Sequence, residues 1–253
     1  MRPIYPSAAL RVAYEQRLTK LVDRMRTAPL LVAYRQNPTV LIAQDADPAA
    51  VLGAAMRTLG KRWLSQFDEL ADNLAKWFAT TVTDRSDRVL RDDLRKAGFT
   101  VKFTMNAAMR QAFNATRAEN VSLIKSIPRQ HLASVERLVQ SSVAAGRDLH
   151  VLAEGLEKQQ GVTKRRAAFI ALDQNNKATA NMQRARQMAL GFTEGVWLHS
   201  AGGHEPRHEH VAFSGQRFPL ATGHDFDNGE GFVLPGQAIR CRCVWKPVVS
   251  ELD

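Results

Sequence analysis

Both cysteines of the chain, Cys241 and Cys243, lie one residue apart in the closing stretch LPGQAIRCRCVWKPVV. Five of the seven histidines, His199, His204, His208, His210 and His224, fall in the last 55 residues, three of them in HEPRHEH. If RCRCVWK is a strand, its period of two turns Cys241, Cys243 and Trp245 to one face and Arg240, Arg242, Val244 and Lys246 to the other. Two thiolates facing the same way are soft ligands, and one or two imidazoles from the upstream cluster would complete a tetrahedron around zinc. The set His210, Cys241, Cys243 and His208 is the candidate structural site. The C-x-C spacing is tighter than the usual C-x₂₋₄-C of zinc fingers, so a second reading stands beside it. In that reading both cysteines are small buried hydrophobes beneath Trp245 and the histidines cap a loop. A third reading places a metal-dependent hydrolase or nuclease at His208, Glu209, His210, Cys241 and Cys243, which would need an open coordination position beside a general base. Walker loop, G-x-S-x-G and paired-glycine dinucleotide fingerprints are all absent from the sequence.

The elements that must position these residues are mostly helices. Ser7 is a candidate N-cap for a helix carrying Leu10, Tyr14, Leu18, Leu21 and Met25 at spacings of three and four. A loop with Pro38 and TVLIAQDAD leads to Asp47 and Pro48 at the cap and first positions of a long helix over 48–80. Its stripe is Leu52, Met56, Leu59, Trp63, Phe67, Leu70, Leu74 and Trp77. Further helices are expected over 84–97, closed by Gly98, and around Met105 to Thr116. One from Ser126 and Pro128 should stop at Gly146, a short one should follow Asp148, and another should run from Thr163 to Gly191. The last shows an inward stripe of mostly small residues: Ala167, Ile170, Ala171, Gln174, Ala178, Met182, Ala185 and Ala189. Beyond Gly191 the Gly- and His-rich texture with PG at 235–236 suggests short strands and turns. The expectation is a predominantly α (α+β) fold, with long helices and a helical bundle followed by a small C-terminal mixed or β unit. Three regions follow: 1–120, a helical region; 121–193, a second helical part; and 194–253, the small terminal unit.

With 253 residues, 45% hydrophobic and 24% charged, the chain has enough apolar material for a sizeable core. Its net charge of +10 is uneven. Lys plus Arg against Asp plus Glu number 16 and 11 over 1–100, 14 and 6 over 101–193, and 5 and 8 over 194–253, giving +5, +8 and −3. A basic helical body suits a polyanionic neighbour such as double-stranded DNA or, equally, solvent. Lys164, Arg165, Arg166, Arg184 and Arg186 are the candidate phosphate contacts. The start, MRPIYPSAALRVAYEQR, shows no apolar signal core, and no run of 18 apolar residues occurs, so synthesis in the cytoplasm without a membrane span is expected. In that reducing setting paired cysteines are free thiols or metal ligands rather than a disulfide.

Four stretches in order, NVSLIKSIPRQHLASVERLV, RRAAFIALDQNNKATANMQRAR, WLHSAGGHEPRHEHV and LPGQAIRCRCVWKPVV, resemble the phage head morphogenesis family of Mu F-like minor head proteins. The resemblance covers roughly 120 to 253. Leu172 stands where the family helix often carries arginine, and Ala201 and His204 replace a glycine and a lysine of the family loop. His210 and both cysteines stand at matching positions. The resemblance implies a non-enzymatic minor virion component, acting in head assembly at the portal vertex and capsid interior. It further implies portal or capsid proteins as partners, packaged DNA nearby, and a location in the virion after assembly in the host cytoplasm; no cofactor is called for other than the candidate structural zinc.

Overall fold

The computed structural model describes residues 1–36, 48–145, 148–200 and 206–248. Pro38, the 39–47 run with Asp47, Gly146 and the loop residues Ala201 and His204 lie outside them. Helices α1 (Ala8–Val22), α2 (Ala28–Gln36), α3 (Pro48–Lys96), α4 (Ala107–Ala144) and α5 (Leu149–Ala189) precede β1 (Glu194–Leu198), α6 (His208–Ala212), β2 (Arg217–Pro219), β3 (His224–Asp225), β4 (Phe232–Val233) and β5 (Val244–Pro247). The fold is mainly α with a small antiparallel β unit at the end, as the sequence pattern predicts.

Local chemistry sets the ends of these helices. Ser7 Oγ accepts the Leu10 N–H at 3.2 Å, and Asp148 Oδ1 accepts those of His150 and Val151 at 2.8 and 3.0 Å. Gly98 and Gly191 take φ of 86° and 87° just past α3 and α5. The following N–H groups of Phe99 and Phe192 then bond back to the carbonyls of Leu94 and Gln187. Inside the helices, packing overrides the expected breaks. The segment TTVTDRS, residues 80–86, stays helical because Val82, Thr83 and Ser86 are buried, and Thr81 and Thr83 satisfy their hydroxyls on the carbonyls four residues back, at 2.8 Å each. Thus 48–80 and 84–97 are one helix. α4 likewise runs through Pro128, and α5 runs through Gly155 and Gly161 instead of restarting at Thr163. Sequence pattern misses α2 altogether, where Pro29 sits in the first turn.

The chain forms two compact units, residues 1–14, 75–120 and 171–253 in one, and 15–74 and 121–170 in the other. The three long helices contribute to both, so neither unit is a continuous stretch. In the second unit Trp63 meets His131 edge-on at 5.4 Å, Tyr34 and Ser142 share a hydroxyl hydrogen bond of 2.6 Å, and Gln160 Nε2 donates to the Val22 carbonyl. The buried stripe of α3 follows Leu52, Met56, Leu59, Trp63 and Phe67 as the spacing predicts, then drifts to Ala71, Ala75, Phe78 and Val82. Leu70, Leu74 and Trp77 are left half-buried at its border.

In the first unit β1 is central, paired antiparallel with β2 on one side and β5 on the other, and β3 and β4 form a separate hairpin. Trp197 and Trp245 stand directly opposite each other across β1 and β5. Around them gather Phe218, Leu220, Leu234, both cysteines and Ala180 of α5. The terminal unit therefore has a true aromatic core. Gly195 on β1 is obligatory for it, since a Cβ there would lie 2.7 Å from the Trp245 ring and 3.1 Å from that of Phe218.

Two predictions follow from this packing. Gly223 has φ of 87°, and a Cβ on it would fall 2.3 Å from the Val233 carbonyl oxygen, whereas Gly229, with φ of 83°, faces open space. Gly223→Ala should cost about 3 kcal/mol and Gly229→Ala about 1 kcal/mol by chemical denaturation. His131 is buried, its Nδ1 2.8 Å from Thr163 Oγ1, and burial pushes its pKa down to about 4. The unfolded chain, with an ordinary imidazole near 6.5, binds the proton first as pH falls. Stability is thus unaffected above about pH 6.5 and declines from there toward pH 4, by about 2 kcal/mol for this group after allowing for solvent screening. His131→Leu should flatten that part of the stability profile, measured by urea unfolding at intervals between these limits.

Candidate metal centre

Strand β5 begins at Val244, so the cysteines lie in the extended lead-in to the strand, not within it. Both sulfurs nevertheless point inward: Cys241 and Cys243 are 4% and 5% exposed, and neither forms a disulfide. Val244, expected on the outer face with Arg242 and Lys246, is buried as well. Helix α6 carries HEHVA, and its third residue, His210, is 2% exposed. The His210 Nδ1 lies 3.5 Å from Cys241 Sγ and 3.7 Å from Cys243 Sγ. The ligand atoms of these three residues all fall within 4.8 Å of one another.

His208, named with them in the sequence reading, is exposed at the first position of α6. The second imidazole beside the sulfurs belongs to His199, whose Nδ1 is 3.7 Å from Cys243 Sγ. Sheet register explains this placement. Trp197 pairs with Trp245 and Leu198 with Val244, and continuing by one residue brings His199 opposite Cys243. The period of two also leaves His199 on the side of β1 that carries Trp197. That signal was readable once β1 and β5 were known to pair, but the sequence does not reveal the pairing.

Around the centre the walls are aromatic. Trp197 meets His210 edge-on at 5.0 Å, and Phe226 stacks on His210 at 4.7 Å. His224, another of the clustered histidines, instead stacks on Phe213 at 3.7 Å. Cys241 is held well below the usual thiol range, first by the Cys243 S–H and then by His210 and nearby backbone N–H groups. Cys243 is pushed up by the same bond to Cys241 and by burial. Glu209 accepts from Asn228 at 3.3 Å, and its carboxyl is held low chiefly by its own backbone N–H. A low carboxyl pKa suits an anion and not a proton donor.

What fixes the cysteine loop is α5. Asp173 Oδ1 accepts the Arg240 N–H at 3.0 Å, where Arg240 holds a φ of 60°. Asn176 Nδ2 donates to the Cys241 carbonyl at 2.9 Å, and Gln187 Oε1 accepts the Trp245 indole N–H at 2.7 Å. Arg184 donates to the carbonyls of Leu220, at 2.6 Å, and Ala221. The stripe of mostly small residues that the sequence predicts as the inward face does not include these polar contacts of LDQNNKATANMQRARQ.

The five basic side chains nominated for phosphate separate clearly. Arg186 is buried in a bidentate pair with Asp87 at 2.8 and 2.6 Å, donates to the Thr104 carbonyl, and lies over the Phe103 ring. Arg184 is committed to the carbonyls above. Arg166 donates to Ser126 Oγ at 2.9 Å, and Lys164 is paired with Asp23 at 2.6 Å. Arg165 is exposed.

A mainly helical chain whose closing β unit is tied by buried polar and sulfur groups to the last long helix is a structural class, defined by how it holds itself together. Residues 133–246 match the family model described as Phage Mu protein F like protein, so this segment, a little under half of the chain, is similar to the Mu F-like phage head morphogenesis family. An uncharacterized protein of Haemophilus influenzae is 28% identical over 256 residues, covering 99% of this chain and 56% of that protein. The chain thus spans little more than half the length of that relative. No solved structure matches it. Among the described residues no helix is long and apolar enough to cross a membrane.

Replacing Arg186 by alanine leaves Asp87 partly buried without its cation. The expected result is a loss of about 3 kcal/mol in unfolding free energy, with Lys164→Ala costing under about 1 kcal/mol because its pair is half-exposed. Thermal and denaturant unfolding of the two variants measures the contrast.

Proposed function

We propose that this chain is a structural component of phage head assembly, docking on portal or capsid protein at the inner side of the head. The observation that carries the reading is the Mu F-like match over 133–246. It is reinforced by the way the residues of that segment are used. Asp173, Gln174, Asn176, Arg184, Gln187, His210 and both cysteines face inward or bind the chain's own backbone, which is the behaviour of a scaffold.

The hydrolytic alternative fits the geometry less well. It needs a base beside an open coordination position. His210 is enclosed with its Nδ1 toward two sulfurs, His208 is exposed, and Glu209 engages Asn228. Contact with packaged DNA draws on the +13 carried by residues 1–193 as a whole, rather than on the five nominated side chains, four of which have internal partners.

The test is co-expression of the tagged chain with the portal and major head proteins of the same genome, followed by gradient sedimentation. The chain should sediment with portal rings or procapsids in a fixed ratio. A chain that stays at the top of the gradient while heads assemble normally would remove the head-assembly reading. In the same preparation, binding to duplex DNA should weaken steeply with salt, and a flat salt response would leave only protein partners.

A further inference from the structure

We propose that His199, His210, Cys241 and Cys243 together form a closed, tetrahedral site for one zinc-class divalent ion, with His199 and not His208 as the fourth ligand. The inference stands on the geometry of the terminal unit and does not depend on the head-assembly reading.

The distances carry it. Zinc bonds to sulfur of about 2.3 Å and to imidazole nitrogen of about 2.0 to 2.1 Å place the nitrogen and sulfur corners of a regular tetrahedron about 3.5 to 3.6 Å apart. Three of the four nitrogen–sulfur separations of such a site are 3.5, 3.7 and 3.7 Å. His210, Cys241 and Cys243 already hold their ligand atoms within 4.8 Å of one another, and His199, beside Cys243 but outside that group, would swing toward Cys241 and His210 to close the tetrahedron.

Hydrogen bonding alone does not account for the arrangement. A ring nitrogen offers one lone pair or one proton, yet His210 Nδ1 lies between two sulfurs at nearly equal distance. A cation at the centre would satisfy both sulfurs and both nitrogens at once.

Cys241 Sγ also receives a backbone donor: the Gly236 N–H points to it at 3.4 Å. Such N–H donors to ligand sulfur are the second layer that orients and tunes a metal thiolate centre.

The donor set selects the metal. Two thiolates and two neutral imidazoles exactly neutralise a divalent charge in an aromatic-walled site, and nitrogen and sulfur donors suit zinc while excluding magnesium and calcium, which take oxygen. Binding would release the thiol protons to solvent. A cavity of about 40 Å³ beside the four ligands, edged by Pro206 and Arg207, gives the ion a way in. Four protein ligands leave no open position, so the role is structural: the ion would join the end of β1, α6 and the approach to β5.

The experiment uses the full chain. Purified without chelator, it should contain about one zinc per chain by elemental analysis, and stripping the metal should lower Tm by about 5 °C or more. Cobalt added to the stripped chain should give the visible bands of a tetrahedral site with a sulfur charge-transfer band, a readout on the unmutated protein. His199→Ala should weaken cobalt and zinc binding at least about tenfold and His208→Ala should leave both unchanged. A stripped chain that gives no thiolate band with cobalt overturns the site. Equal affinity and spectrum for wild type and His199→Ala overturn the fourth ligand, and a metal-free chain holding a Cys241–Cys243 disulfide overturns the proposal as a whole.

Discussion

Irregular backbone has no ladder of its own, so its N–H and carbonyl groups must find partners or remain at the surface. In this protein one face of α5 supplies them. Between Asp173 and Gln187 the helix buries Gln174, Asn175, Asn176, Thr179, Gln183 and Arg186 along with its end residues, an unusual density of polar side chains for a helix interior. Each meets a definite group. Asn175 and Gln183 donate to the Ser7 and Ile4 carbonyls, while Asn176, Asp173 and Arg184 hold the backbone at Cys241, Arg240 and Leu220. The opening residues and the terminal β unit are thereby both registered on the same few turns of helix. Breaking one such contact leaves a buried group without a partner, which is costlier than never having had the pair.

That constraint bears on function. A helix reading DQNN beside histidines and cysteines has the composition of an active site, and isolated motif reading leads toward hydrolysis. Geometry assigns these groups to the fold: Gln174 joins Asn120 and Glu119, and Tyr14 closes the chain of hydrogen bonds onto Asn120 while stacking on Phe78 at 4.3 Å. Polar networks of this kind stabilise one arrangement over its neighbours more than they add raw stability, provided every member is satisfied.

How far the sequence revealed this depended on the range of each interaction. Local chemistry was legible: Ser7 and Asp148 start helices, Gly98 and Gly191 end them, and the alternation through Cys241, Cys243 and Trp245 turns those side chains inward. Helix continuity was not, because the β-branched run before Ser86, Pro128 and the Gly155–Gly161 segment are breakers by propensity and are overruled by burial along the whole helix. In α3, bulky Leu70, Leu74 and Trp77 drew attention from Ala71 and Ala75, whose small size brings them to the buried face. His199 required the β1–β5 register, a relation between residues more than forty positions apart, and no local pattern encodes it. The motif resemblance pointed to a similar family where physical reading of the residues alone could not.

The cysteine pair and the α5 face act on the same short loop from opposite sides. Arg240 holds a left-handed backbone, a conformation that costs a non-glycine residue of order 1 kcal/mol. Asp173 bonds its N–H, and Asn176 bonds the carbonyl of the next residue, so the strained peptide is fixed at both ends before the sulfurs are considered. With that peptide set, Cys241 faces His210, and two residues on Cys243 turns to the same side. The sulfurs are thus arranged by a helix whose polar side chains bond the backbone of their loop. A metal bound by such a loop would lose little free energy in ordering its ligands, because amide and carboxylate groups of α5 have already ordered the backbone that carries them.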